Sequence, residues 1–402
     1  MNSLFSEPLT SMSVPSFSWP QFDETEVQAV ADVVRSGKWG NPDCTEAVAD
    51  FEEAFAGYCG ASHGVTCVNG SVSLHLALIA CGVRPGDEVI VPPYTFIATA
   101  STVIEVNCVP VFVDIHPDTY NLDPAAIEAA ITERTKVIIP VHFAGLPCDM
   151  DAILDIARRH NLRIIEDAAH AHGAEYKGRK LGSIGDAGSF SFQSSKNLTS
   201  GEGGIVITNN DDLHRTMASL RNVGRLPEGQ WYDHFNPGCN YRITQLQAVL
   251  LSAQLARLEA QTLQREANGL YLDELLRDIP GIRPLSRGDV PIRHSYHLYI
   301  FRYDASFFGG MSKQEFVQKL AATGVPCSGG YPHPLYKQPV FQHKNFLCYA
   351  IPESVDYANV HCPVAEKACS DEAVWIFQHV LLGTRADMEW IAGQIRSLQT
   401  SH

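Results

Sequence analysis

What the chain lacks narrows its class first. It has no excess of positive charge: 30 Lys and Arg stand against 45 Asp and Glu, a formal charge of −15. Such a chain repels phosphate backbones and anionic bilayers, so nucleic acid and membrane surfaces are poor main partners. A small anionic ligand is not excluded, because one pocket can be locally positive. It has no long apolar run either. The longest uncharged apolar stretch, 89–104, carries Pro92 and Pro93 and is too short to cross a bilayer. The start of the chain shows no basic segment followed by an apolar run, so no secretory leader is expected. Its eleven cysteines contain no Cys-x-x-Cys, which argues against a zinc ribbon or a thioredoxin-type redox site. Cys67, Cys81 and Cys108 sit in apolar runs and read as reduced core residues of a cytoplasmic protein. No Gly-x-Gly-x-x-Gly follows an early strand, so a nicotinamide dehydrogenase is disfavoured. The sixteen histidines are scattered, and the His170-x-His172 pair follows an acidic segment; no metal is expected. There is no internal repeat.

What is present is a globular composition: 45% hydrophobic, 19% charged, 9% aromatic. At roughly 100–200 residues per domain, 402 residues exceed one ordinary core. Short Val/Ile-rich runs at 64–68, 88–91, 109–113, 137–141, 163–166, 189–192 and 205–208 read as strands. Helical patterns lie between many of them, at 72–81, 97–105, 123–130 and 150–160. This predicts an α/β fold with a largely parallel sheet covered on both faces. Chemistry should then lie in loops after the C-terminal strand ends. A long helical pattern over 244–277 leads to a second region with a strand at 297–302 and helices at 313–323 and 387–398. The expected organisation is an extended arm (1–22), a large domain (23–262) and a smaller C-terminal α+β domain (263–402).

Five strand-end segments stand out: Asn69-Gly70-Ser71, Tyr94-Thr95-Phe96, Glu166 to His170, Ser191 to Lys196, and Gly201-Glu202-Gly203-Gly204. Each alone is ordinary: an Asn-Gly-Ser turn caps a helix, Phe96 reads as core, a strand-end Asp caps, a Lys is solvated. Together they fit pyridoxal phosphate. That cofactor needs an amine to condense with its aldehyde, an anion cradle, a carboxylate for its pyridinium nitrogen and a flat surface. Lys196 can supply the amine and Asp167 the carboxylate. Gly70 and Ser71 can offer N–H groups at a positive helix terminus, and Phe96 a stacking face.

At these residues the chain resembles the DegT/DnrJ/EryC1/StrS sugar aminotransferase family, of fold type I. The resemblance runs through Gly86 to Pro92, Tyr94-Thr95-Phe96, Asn121 to Pro124, Val141-His142 and Glu166 to His170. It continues through Ser191-Phe192, Lys196-Asn197, Gly201 to Gly204 and Asn240-Tyr241-Arg242, in family order. It implies a mostly parallel seven-stranded sheet and a pyridoxal-phosphate-dependent aminotransferase. Lys196 would hold the cofactor and shuttle the proton, and Asp167 would pair with the ring nitrogen. His170 would lie near the ring hydroxyl, where the family more often has Gln. Phe96 would stack, and Gly70, Ser71 and Ser191 would bind phosphate. Asn240 would reach the phosphate of a neighbouring subunit in a homodimer. Some relatives with His in place of this Lys are dehydrases; Lys196 favours transamination.

The stretches 191–203, 167–173 and 140–142 are similar to the scyllo-inosose, or cyclitol, branch. The implied reaction moves an amino group from glutamine or glutamate to a keto-cyclitol. A nucleotide-linked keto-sugar is the alternative, since that branch more often carries Pro where Ser194 stands; an aminohydroxybenzoate synthase is a third. Candidate substrate residues are Trp39, Tyr94, Gln193, His333 and Tyr336, against plainer readings as interface, core or loop residues. A ligand-binding or regulatory module on the same fold is the non-enzyme alternative, because fold does not fix function.

Overall fold

The computed structural model describes residues 15–40 and 45–399. Part of the predicted arm, residues 1–14, therefore lies outside the described residues. Residues 15–22 form neither helix nor strand.

Seven strands form one sheet. Across it they run His63–Cys67, Gly204–Thr208, Ala187–Ser191, Arg163–Asp167, Thr135–Ile138, Glu88–Val91 and Val109–Phe112. Only Gly204–Thr208 runs antiparallel to its neighbours, as its pairings with His63–Cys67 and Ala187–Ser191 show. The cause is local. The chain reaches it from Ala187–Ser191 through a loop with no crossover helix, and parallel pairing needs such a crossover. The mostly parallel α/β sheet expected from the sequence is present.

Alternation along these strands buries both faces. Val89 and Val91 enter one buried cluster, while Ile90 enters another. Val206 belongs to the first cluster, and Ile205 and Ile207 to the second. The first cluster also contains Leu298, Ile300 and Trp375, from a second sheet. That antiparallel sheet has the order Ile282–Pro284, Leu298–Tyr303, Ala373–Phe377, Cys327–Ser328. A third cluster, with Leu272, Phe301, Phe316 and Ile391, fills its other side.

The helix Gln245–Arg277 runs for 33 residues, about 50 Å at 1.5 Å per residue. Thr244 and Gln247 form a capping box at its start. Its first half meets the helix Glu24–Ser36, where Arg257 pairs with Asp23 and Glu26. Its second half meets the segment after Ala373–Phe377: Asn268 Nδ2 donates to the carbonyls of Leu381 (2.9 Å) and Gly383 (2.8 Å). No helix of the described residues is long and apolar enough to cross a membrane. The described cysteines are all unpaired.

Ala187–Ser191 begins two residues earlier than the sequence pattern predicts, because Ala187 and Gly188 carry no β-type side chain. Smallness is needed there. A Cβ on Gly188 would lie inside the backbone of Gly182. Gly188→Ala is therefore expected to cost about 1–3 kcal/mol, the usual range for overpacking. Urea denaturation measures it; an unchanged midpoint would show that the Gly182 turn yields freely.

Candidate active site

A cavity of about 730 Å³ opens where the parallel strands end and the antiparallel sheet faces them. Asn69 to Glu202 line one side, and His297, Leu298, Tyr331, Trp375, Phe377, Gln378 and His379 line the other. Loops after strands occupy this position because backbone irregularity is tolerated only beyond the ladder.

The strand Arg163–Asp167 ends in two adjacent carboxylates on opposite faces. Glu166 points away from the cavity and is completely buried. It accepts N–H bonds from Gly182 (2.8 Å), Ile184 (2.7 Å) and Gly185 (2.7 Å). It also accepts from His142 Nε2 at 3.0 Å. His142 Nδ1 takes the Cys148 N–H at 3.1 Å, so its proton sits on Nε2. Burial pushes the Glu166 pKa up, but these donors outweigh it and the net shift is downward. Asp167 points into the cavity. Its Oδ2 accepts from Thr99 Oγ1 (2.8 Å) and its Oδ1 from the Ala169 N–H (3.2 Å). Burial raises its pKa, opposed by those two bonds and by the charge of Lys196.

Lys196 rises from the loop that follows Ala187–Ser191. Gln193 builds this loop. Its Oε1 takes the Ser195 N–H (2.9 Å) and hydroxyl (2.7 Å), and its Nε2 donates to Ser194 Oγ (2.7 Å). The next residue fastens the loop: Asn197 Nδ2 donates to the Ser295 carbonyl at 2.8 Å. Loss of hydration lowers the Lys196 pKa to about 8, with Asp167 opposing the shift. An amine in that range is part-neutral near physiological pH.

Beside Lys196 the helix Gly70–Ala80 begins, capped by Asn69, whose side chain accepts the Val72 N–H at 2.9 Å. The N–H groups of the first turn point out of the helix at its positive end, which suits an anion. Gly70 must be small here, since a Cβ would come within 2.6 Å of the Ser191 Cβ. That close approach sets the Ser191 hydroxyl beside the helix start. Phe96, 59% exposed, lines the same cavity with its ring uncovered. His170 lies opposite. Its Nδ1 accepts the Ala144 N–H at 3.3 Å, which leaves the proton of the neutral ring on Nε2. Burial, reinforced by the Lys196 charge, drives the His170 pKa well down and keeps the ring neutral. The His297 ring packs 4.2 Å from it, centroid to centroid.

Of the residues picked from sequence, the cavity gathers Lys196, Asp167, Gly70, Ser71, Phe96, His170, Ser191 and Gln193. The other five lie elsewhere. Asn240 is exposed and bridges to Asn222. Trp39 is 55% exposed, with its indole N–H on the Val34 carbonyl. Tyr94 is buried behind the wall, where its hydroxyl accepts from Trp375 Nε1 at 3.1 Å. Tyr336 is buried, donating to Glu366 and accepting the Cys362 N–H. His333 is exposed. The loop that carries it reaches the cavity through Tyr331 instead, whose ring sits edge-on to Trp375 at 4.9 Å.

Sequence reading passed over Trp19, Thr99, His297, Tyr331, Trp375, Gln378 and His379, all lining residues. Thr99 had a signal in hindsight: it stands four residues after Thr95, in the first turn of the helix Ala98–Glu105 that follows the segment already singled out. Tyr331 stands two residues before His333, in the same loop; the others carried no signal, since they reach the cavity from distant segments.

Residues 20–389 match the DegT/DnrJ/EryC1/StrS aminotransferase family. Three similarities span much of the chain. An L-glutamine:2-deoxy-scyllo-inosose aminotransferase of Streptoalloteichus tenebrarius is 38% identical, over 96% of this chain and 94% of that protein. A GDP-perosamine synthase of Caulobacter vibrioides is 44% identical, over 74% and 79%. The crystal structure of 3-amino-5-hydroxybenzoic acid synthase superposes with a TM-score of 0.87 at 34% identity, covering 96% of this chain and 99% of that one. A strand-end carboxylate, a lysine loop and a helix-start anion cradle in one cavity, on a sheet of this order, accord with that match: the chain belongs to the DegT/DnrJ/EryC1/StrS aminotransferase family.

Proposed function

We propose that this protein is a pyridoxal-phosphate-dependent aminotransferase that moves the amino group of glutamine onto a keto-cyclitol of the scyllo-inosose type. One observation carries the chemistry: Lys196 and Asp167 share a cavity closed at one end by the first turn of Gly70–Ala80. When bound, the cofactor supplies an electrophilic carbonyl that captures amines and a ring that withdraws electrons from the adjacent carbon. Gly70, Ser71 and Ser191 would hold its phosphate, and Phe96 would cover its ring. Asp167 would keep the ring nitrogen protonated, held in place by Thr99. The neutral His170 would donate from Nε2 to the ring hydroxyl. Lys196 would hold the cofactor at rest and, once released, carry the substrate proton as general base and then acid. Donor and acceptor would use the cavity in turn.

The acceptor reading rests on charge. Among the described lining residues, Lys196 is the sole Lys or Arg. A nucleotide diphosphate is ordinarily met by arginines or several lysines, whereas a keto-cyclitol is neutral and needs none. The 38%-identical relative named for 2-deoxy-scyllo-inosose spans nearly the whole chain, which supports the same reading. The 44% identity to a GDP-perosamine synthase favours a second one, a nucleotide-linked keto-sugar. The pyridoxamine form of the enzyme should react with scyllo-inosose or 2-deoxy-scyllo-inosose. Reaction with a nucleotide-linked keto-sugar alone would replace the first reading with the second. Reaction with aminohydroxybenzoate precursors alone would do the same for an aminohydroxybenzoate synthase.

The cavity takes side chains from both sheets, in keeping with cooperating domains over 23–262 and 263–402. A homodimer follows as part of the proposal. Asn240 is exposed outside its own cavity, as are Trp231 and Tyr232 earlier in the same segment, and would complete the site of a second copy. A cytoplasmic setting suits the unpaired cysteines.

Two outcomes are expected. Lys196→Ala should lower kcat by at least about 10²–10⁴-fold, the worth of a placed proton-transfer group. Steady-state amination measures it, and near-normal turnover would remove Lys196 from the mechanism. The second concerns pH. Only a neutral amine attacks an aldehyde, and the Lys196 amine becomes neutral as pH rises through about 8. The rate at which cofactor-free protein takes up cofactor should climb towards that pH and level off above it. A profile still rising steeply at pH 10 would mean that burial leaves Lys196 unshifted.

A further inference from the structure

Arg265, in the middle of Gln245–Arg277, has no exposed surface. No carboxylate pairs with it among the described residues. Its Nε and Nη2 both donate to Gln378 Oε1, at 3.0 and 2.6 Å, and its Nη1 has no partner. The Trp19 ring lies 5.4 Å from the guanidinium. Burial alone pushes the guanidinium down to about 9. A guanidinium holds five N–H donors and no acceptor, and a buried cation without a counter-charge is costly. Here its one acceptor is a neutral amide.

That amide reaches the cavity. Gln378 lines it beside Trp19, Phe377 and His379. With Oε1 committed to Arg265, the free end of the carboxamide is Nε2, which is buried and has no partner. Behind this wall, therefore, stand unsatisfied N–H donors in a positive field. A carboxylate, which only accepts, is the group such donors favour.

We propose that Gln378 binds the carboxylate of the amino donor, and that Arg265 acts through it as a positioning residue that fixes the amide and supplies the charge. The inference rests on the proposed transfer from glutamine to a keto-cyclitol. Both substrates would use one cavity in turn, but only the amino acid carries a carboxylate. The Gln378 wall is then a device for the donor half of the cycle.

The test compares half-reactions by rapid mixing. The pyridoxal form meets glutamine, or 4-aminobutanamide, which keeps the amine and amide but lacks the carboxylate. The pyridoxamine form meets the keto-cyclitol. In Gln378→Leu the rate with glutamine should fall roughly tenfold or more, the worth of a hydrogen bond to a charged group. The other two rates should change by less than about threefold, since neither compound carries the charge that the bond requires. Gln378→Glu should fall further with glutamine while keeping its melting temperature, because the new carboxylate pairs with Arg265 and repels the donor. Arg265→Met should shift the glutamine to 4-aminobutanamide ratio in the same direction; if it does not fold, the two Gln378 variants decide. An unchanged ratio, or a parallel fall in both half-reactions, overturns the inference and leaves glutamine as donor. A wild-type enzyme inert to glutamine overturns both.

Discussion

The site depends on the anchoring of one buried carboxylate, Glu166. Three backbone N–H groups and the His142 imidazole surround it on the face away from the cavity. A carboxylate so bound cannot rotate or slide without stranding charge in the core, which costs several kcal/mol. It therefore fixes the end of the strand Arg163–Asp167 and the turn that follows. Alternation does the rest: with Glu166 pinned on one face, Asp167 must emerge on the other. Asp167 would serve the chemistry, but its placement is inherited from its neighbour. The same bonds tie the 182–185 turn to the sheet, against which Gly188 packs.

The cavity wall is layered in the same way. Trp375 and Tyr331 face the interior, and Tyr94 stands behind them with its hydroxyl on the indole N–H. Gln378 faces the interior, and Arg265 stands behind it. Thr99 holds Asp167, and Ala144 fixes the tautomer of His170. In each pair one partner restricts the other to a single orientation. Binding then costs less ordering of side chains than it would on an open surface.

How much of this was legible in the sequence follows from the kind of interaction involved. The strands were legible because Val and Ile runs buried on both faces leave a direct record in composition. Lys196, Asp167 and Gly70 were legible because each stands at the end of such a run, where topology puts ligands. Tyr336 and Tyr94 were picked as substrate residues from loop and motif position, yet both turn inward, since their rings fill the core and their hydroxyls find partners there. Trp375 and Gln378 were invisible for the opposite reason. They sit in and after the strand Ala373–Phe377, which was not predicted. Only the packing of that strand against the far sheet brings them to the cavity. The helices Glu24–Ser36 and Glu46–Cys59 were not predicted at all, although Asp23 and Glu26 form a capping box at the first.

Asn197 has a mechanical consequence. Its amide grips the Ser295 carbonyl, and its oxygen takes the His297 ring at 3.3 Å. The residue after Lys196 is thus fastened to the chain entering the antiparallel sheet. A rigid-body tilt of that sheet would be transmitted to the lysine loop like the throw of a lever. Opening and closing of the cavity and the advance or retreat of the amine would then be a single motion.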